Sequence, residues 1–127
     1  MQKKIVIVDD SEVNLLLINS IFEGEKSIQL FLESDSRNAV RLIRKERPDV
    51  VLLDLMMPKI DGFQILKEIK SDPDLTHVPV LVVTARQDQA TYDEVMKYQV
   101  VDYIKKPIDL DDLESKIRNI LKEQTMA

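Results

Sequence analysis

A chain of 127 residues can bury one hydrophobic core and is too short for two ordinary domains, so a single domain over residues 1–127 is expected. Its 44% hydrophobic and 32% charged residues are the balance of a folded globular protein, and a net charge of -5 with acidic and basic residues interspersed argues against direct nucleic-acid binding. The absence of cysteine excludes disulfide and thiol chemistry, and neither a signal-peptide core nor an apolar run of the roughly 18 residues that span a bilayer is present, which points to a cytoplasmic protein with no membrane contact.

The first predicted strand covers residues 4–9: Ile5-Val6-Ile7-Val8 is wholly apolar and runs into Asp9 and Asp10. A helix follows over residues 11–24, with Gly24 placed to close it. At 100° per residue Val13, Leu16, Leu17 and Ile21 fall on one side of this helix and Leu15, Ile18 and Phe22 on the other. A helix lying on a sheet buries only one side, so an exposed apolar stripe is expected. The second strand, 28–33, mixes polar and apolar residues and suits a sheet edge. A helix over 36–47 has Ser36 as its expected cap, and Pro48 blocks its continuation. The third strand, 50–54, is apolar up to Asp54, and a helix over 61–71 follows. The fourth strand, 80–84, is apolar up to Thr84, and the next helix covers 88–98. A short mixed strand, 102–105, leads through Lys106-Pro107 to a last helix over 110–123 that Asp109 can cap.

Strands alternating with helices predict an α/β fold with a parallel sheet, in which ligands collect at the carboxyl ends of the strands. Asp9, Asp10 and Asp54 all fall there. Two unit charges about 4 Å apart repel by roughly 4 kcal/mol at an effective dielectric near 20, so three ionised carboxylates require a cationic partner. Oxygen ligands without cysteine or a nearby histidine favour magnesium over zinc or copper. Thr84 and Lys106 emerge on the same edge. Singly, an aspartate there can be a helix cap, the threonine a turn residue and the lysine a solvated side chain; five such residues on four strands point jointly to a site.

The segments Ile5-Val6-Ile7-Val8-Asp9-Asp10-Ser11, Val51-Leu52-Leu53-Asp54-Leu55-Met56-Met57-Pro58 with Asp61-Gly62, Val82-Val83-Thr84-Ala85 and Asp102-Tyr103-Ile104-Lys105-Lys106-Pro107 together resemble the receiver domain of two-component response regulators. The resemblance covers essentially the whole chain. It implies a flavodoxin-like sheet in order 2-1-3-4-5 with helices on both faces. It further implies that Asp54 accepts a phosphoryl group, that Asp9, Asp10, Asp54 and the carbonyl of Met56 hold magnesium, and that Lys106 and Thr84 contact the phosphoryl oxygens. Thr84 and Tyr103 would form a switch acting on the surface of the fourth helix, fifth strand and fifth helix, although Tyr103 can also be read as an edge tyrosine packed for its area. The phosphodonor would be a phosphohistidine on a sensor histidine kinase or histidine phosphotransfer protein, and the output partner a downstream protein effector. The partner surface expected from the resemblance comprises Val13, Asn14, Leu15, Leu17, Ile18, Ile21 and Pro107.

The chain would phosphorylate and dephosphorylate only itself, and would stand alone or form the receiver portion of a longer regulator or hybrid sensor kinase. An aspartate-nucleophile magnesium phosphohydrolase is the other candidate. That class places a second acid two residues after the nucleophile, where this chain has Met56. A nucleotide or flavin module would require a glycine-rich loop, and only Gly24 and Gly62 occur. One departure from the receiver pattern stands out. Gln99-Val100 replaces the usual Gly-Ala before the fifth strand, so Gln99 should carry left-handed backbone at a cost of roughly 1 kcal/mol or end its helix differently.

Overall fold

The computed structural model describes residues 2–85 and 88–126. Its strands are β1 (Lys3–Val8), β2 (Ile28–Glu33), β3 (Val50–Asp54), β4 (Val80–Thr84) and β5 (Asp102–Lys105), and its helices α1 (Glu12–Ile21), α2 (Ala39–Glu46), α3 (Gly62–Ser71), α4 (Gln89–Met96) and α5 (Leu110–Met126). All pairings are parallel and the order is β2-β1-β3-β4-β5. The apolar strands β1, β3 and β4 occupy the centre and the mixed strands β2 and β5 the edges, as their composition predicts.

Alternation along each central strand divides the core between two faces. Val6, Val8, Val51, Leu53, Val80 and Val82 pack with Ile43 of α2, Ile65, Leu66 and Ile69 of α3 and Val95 of α4. Ile5, Ile7, Val50, Leu52, Leu81 and Val83 pack with Leu15 and Ile18 of α1 and Leu113, Ile117 and Ile120 of α5. The middle of α5 is also clamped to the turn beyond α1. Arg118 of α5 donates from Nη1 and Nη2 to Glu25 at 3.0 and 2.7 Å, donates from Nε to Glu114 at 2.8 Å, and lies 5.2 Å over the Phe22 ring.

Two expected caps differ. Gly24, at φ 80°, lies in the turn beyond α1, whose end is closed by the Phe22 amide donating to the Asn19 carbonyl. Before α2, Asp35 caps a 3-10 turn, Ser36–Asn38, by accepting from Arg37 N. Ser36 is buried instead: its hydroxyl donates to the Pro58 carbonyl at 2.9 Å and accepts from Ile60 N at 3.1 Å. At the other predicted departure Gln99 does adopt φ 58°, with its amide donating to the Met96 carbonyl.

Ser36 thus holds the β3–α3 loop from one side, and Gly62 holds it from the other. The Gly62 amide donates to Leu55 O at 3.0 Å, and a Cβ there would collide with Asp54 O and Leu55 Cα. Close approach, not a positive φ, therefore demands this glycine. Gly62→Ala is expected to cost about 1–3 kcal/mol of stability, because the obstructing atoms are backbone; urea denaturation will show it as a lowered midpoint.

Candidate functional site

The register aligns the ends of the central strands. Val8 pairs with Leu53, so Asp9 and Asp54 leave β1 and β3 at the same level, while Asp54 itself pairs with Val83 and Thr84 with Lys105. Carboxylate oxygens of Asp9, Asp10 and Asp54 all lie within 4.8 Å of one another, with Asp9 and Asp54 buried and Asp10 exposed. Lys106, just past β5, donates its backbone N–H to Thr84 O at 2.9 Å and reaches across with Nζ 3.0 Å from Asp54 Oδ2 and 3.4 Å from Asp9 Oδ2. Thr84 is fully buried at the same edge.

Each buried acid is held by backbone as well. Asp9 Oδ1 accepts the Ser11 amide at 2.9 Å in a tight Asx turn, and Asp54 Oδ1 accepts the Met56 amide at 3.0 Å. Met56 thus meets the site through its N–H, a contact that the sequence reading did not anticipate.

One ammonium offsets only part of three carboxylate charges. Burial, aided by the charge of Asp9, pushes Asp54 up to about 6 against the lowering effect of the Met56 amide and Lys106. For Lys106, burial pulls downward, yet the hydrogen bond to Asp54 and the charges of Asp54 and Asp9 hold it above its ordinary value. Excess negative charge, oxygen-only donors and one water-facing ligand suit a hard divalent cation, and these residues fit magnesium.

The predicted partner surface divides. Val13, Leu16 and Leu17 are 66%, 67% and 46% exposed and form the expected outward stripe. Leu15 and Ile18, expected on that surface, are only 6% and 1% exposed because they lie on the helix side that packs against the α5 core. Ile21 is half-buried against the same core. Pro107 is exposed and lines, with Asn14, Leu17, Lys106, Ile108 and Leu110, a groove of about 190 Å³ floored by Ile18. Asn14 turns inward to the acids, with Nδ2 donating to Asp9 Oδ2 at 3.3 Å. Nothing in the sequence pattern marked that bond. Tyr103 is half-buried on β5 with its ring edge-on to Tyr92 of α4, centroids 5.5 Å apart. The loop after Thr84, which was expected to respond to the phosphoryl group, includes residues 86 and 87, outside the described residues.

The raised Asp54 carries a stability signature. An unfolded aspartate ionises near pH 4, whereas folded Asp54 without a cation holds its proton to about pH 6. Stability is therefore undiminished by this group below pH 4 and is lost as pH rises from 4 through 6, by on the order of 2–3 kcal/mol. Asp54→Asn should stabilise the cation-free protein by about 1–3 kcal/mol at pH 7.5, since the amide forgoes some of the Lys106 attraction, and should give no gain at pH 4. Urea titrations in chelator at the two pH values measure both arms.

Residues 5–118 match the family model for the response regulator receiver domain. The chain is 30% identical to the polar-differentiation response regulator DivK of Brucella anthropi, over 95% of this chain and 98% of that protein. It is also 30% identical to the response regulator PleD of Caulobacter vibrioides over 96% of this chain, which spans only 27% of PleD. Among solved structures, the Mn(2+)-bound form of response regulator Rcp1 superposes with a TM-score of 0.80 at 29% identity, covering 93% of this chain and 91% of that one. Among the described residues no helix is long and apolar enough to cross a membrane. With its motifs in order on a 2-1-3-4-5 sheet and its three acids gathered at one edge, the chain belongs to the response regulator receiver domain family.

Proposed function

We propose that Asp54 is the phosphoryl acceptor of a two-component signalling step and that the remaining site residues serve this carboxylate. The observation that carries the reading is the convergence of Asp9, Asp10 and the Lys106 ammonium on a carboxylate that is itself 1% exposed. An oxygen of Asp54 attacks the phosphorus of a phosphohistidine; the new P–O bond forms as the P–N bond breaks, and the departing imidazole retains the N–P electron pair and takes up a proton. Asp9, Asp10 and Asp54, gathered at one place, would hold magnesium together with the Met56 carbonyl; the similar response regulator Rcp1 is known in a Mn(2+)-bound form. Bound there, magnesium would neutralise charge between an anionic donor and an anionic acceptor.

Lys106 needs little movement to pass from Asp54 to the oxygens of the transferred group, because its Nζ already lies 3.0 Å from the acceptor carboxylate. Its ammonium then offsets charge on the equatorial oxygens, and the Thr84 hydroxyl, at the same strand edge, donates to another. A phosphoryl group adds about two negative charges and three acceptor oxygens, which favours the arrangement in which Thr84 has moved inward. Tyr103 follows Thr84 by rotation, and the α4–β5–α5 surface presents a different face to a protein effector. The group is gained and lost on the chain's own aspartate, so the role is signalling rather than turnover of an external substrate. The position two residues after Asp54 supports this over a phosphohydrolase, because Met56 supplies no second acid.

The donor docks, in this reading, on the exposed stripe Val13, Leu16 and Leu17 and on Pro107, which flank the entrance to the site. The same chemistry serves a free-standing regulator or the receiver portion of a longer regulator or hybrid sensor kinase.

Incubation with acetyl phosphate and magnesium should place one base-labile phosphoryl group on the chain, detected by intact-protein mass spectrometry and lost in Asp54→Ala. Labelling that survives this substitution, or sustained release of phosphate from external esters, overturns the assignment. Leu17→Glu should slow transfer from a phosphorylated histidine phosphotransfer protein at least several-fold while leaving labelling by acetyl phosphate near wild type. Equal slowing with both donors would remove the docking role.

A further inference from the structure

We infer that Asn14 is a positioning residue for the cation site, an inference that rests on reading Asp9, Asp10 and Asp54 as that site. Asn14 occupies the first turn of α1, where its backbone amide donates to the capping hydroxyl of Ser11 at 3.2 Å. The cap fixes the main chain, and from there Nδ2 donates to Asp9 Oδ2 at 3.3 Å. That oxygen is also 3.4 Å from Lys106 Nζ, while Asp9 Oδ1 takes the Ser11 amide at 2.9 Å. Asp9 is 3% exposed, so any water replacing a lost donor would have to enter by the groove that Asn14 itself lines.

The Asn14 amide accordingly does two things. It fixes the plane of the Asp9 carboxylate, so that the lone pairs left over face the other acids in a set direction. It also shares Oδ2 with Lys106, which keeps the ammonium at its shorter contact, 3.0 Å, with Asp54. Without the amide, Asp9 has only Lys106 to pair that oxygen, and the ammonium is drawn toward Asp9 and into competition with a cation. The residue type fits the task. Aspartate would add a fourth negative charge, and lysine would set a second ammonium where the cation belongs. Asn14 also lines the groove with Leu17, Pro107 and Ile108, so one side chain joins the outer surface to the acids.

The test is magnesium binding by calorimetry with no phosphodonor present. Asn14→Ala and the near-isosteric Asn14→Leu should each raise the magnesium Kd about tenfold while retaining the wild-type circular dichroism spectrum. Asn19→Ala, which removes an amide elsewhere on α1, should leave it unchanged. In an Asp9→Ala background, Asn14→Ala should add nothing, since its effect runs through Asp9. Wild-type affinity in both Asn14 variants, or a loss of equal size in the Asp9→Ala background, overturns the inference and leaves the cation site standing. Magnesium binding that is absent from the wild type, or indifferent to Asp10→Ala and Asp54→Ala, overturns the site and the inference together.

Discussion

Mutual repulsion among Asp9, Asp10 and Asp54 is the constraint around which this molecule is organised. Three carboxylates within 4.8 Å would spread apart in water, and what confines them is the parallel register of β1 and β3, whose carboxyl ends finish at one level. The strain is relieved locally by one ammonium and by backbone amides at Ser11 and Met56. The relief is partial, and burial, joined by the charge of Asp9, leaves an Asp54 that gives up its proton reluctantly. A site left under-neutralised in this way suits added positive charge. The stability cost thus falls on the gathered acids of an otherwise well-packed fold.

Much of this was legible in the chain because it follows from periodicity. The apolar runs Ile5–Val8, Val50–Leu53 and Val80–Val83 suited central strands, and the mixed runs at 28–33 and 102–105 suited edges. Strand ends then located Asp9, Asp54 and Thr84, and the order of motifs added Lys106. The missing glycine left Gln99 either to take left-handed backbone or to end its helix differently, and it takes the first course. The two sides of α1 were separable on a helical wheel, yet which one faces the core depends on how the helix rolls on its sheet, and Leu15 and Ile18 proved to be core.

What escaped the sequence were contacts between segments distant in the chain or across a turn. Ser36 looks like a helix cap and is instead a staple to Pro58 and Ile60, 22 and 24 residues on. The need for glycine at position 62 is a matter of available space against the Asp54–Leu55 backbone, invisible until the loop is folded. Asn14 was expected on the partner surface, and only the three-dimensional path of the turn brings its amide to Asp9.

The staple at Ser36 and the tight seat of Gly62 have a mechanical corollary. They stiffen the floor of the site on the β3–α3 side, where backbone meets backbone with no room to yield. A loop pinned at both ends keeps the backbone beside Asp54 in one place, including the Met56 amide that donates to its carboxylate. Asp54 is thereby presented from a fixed abutment, its carboxylate aimed before anything meets it.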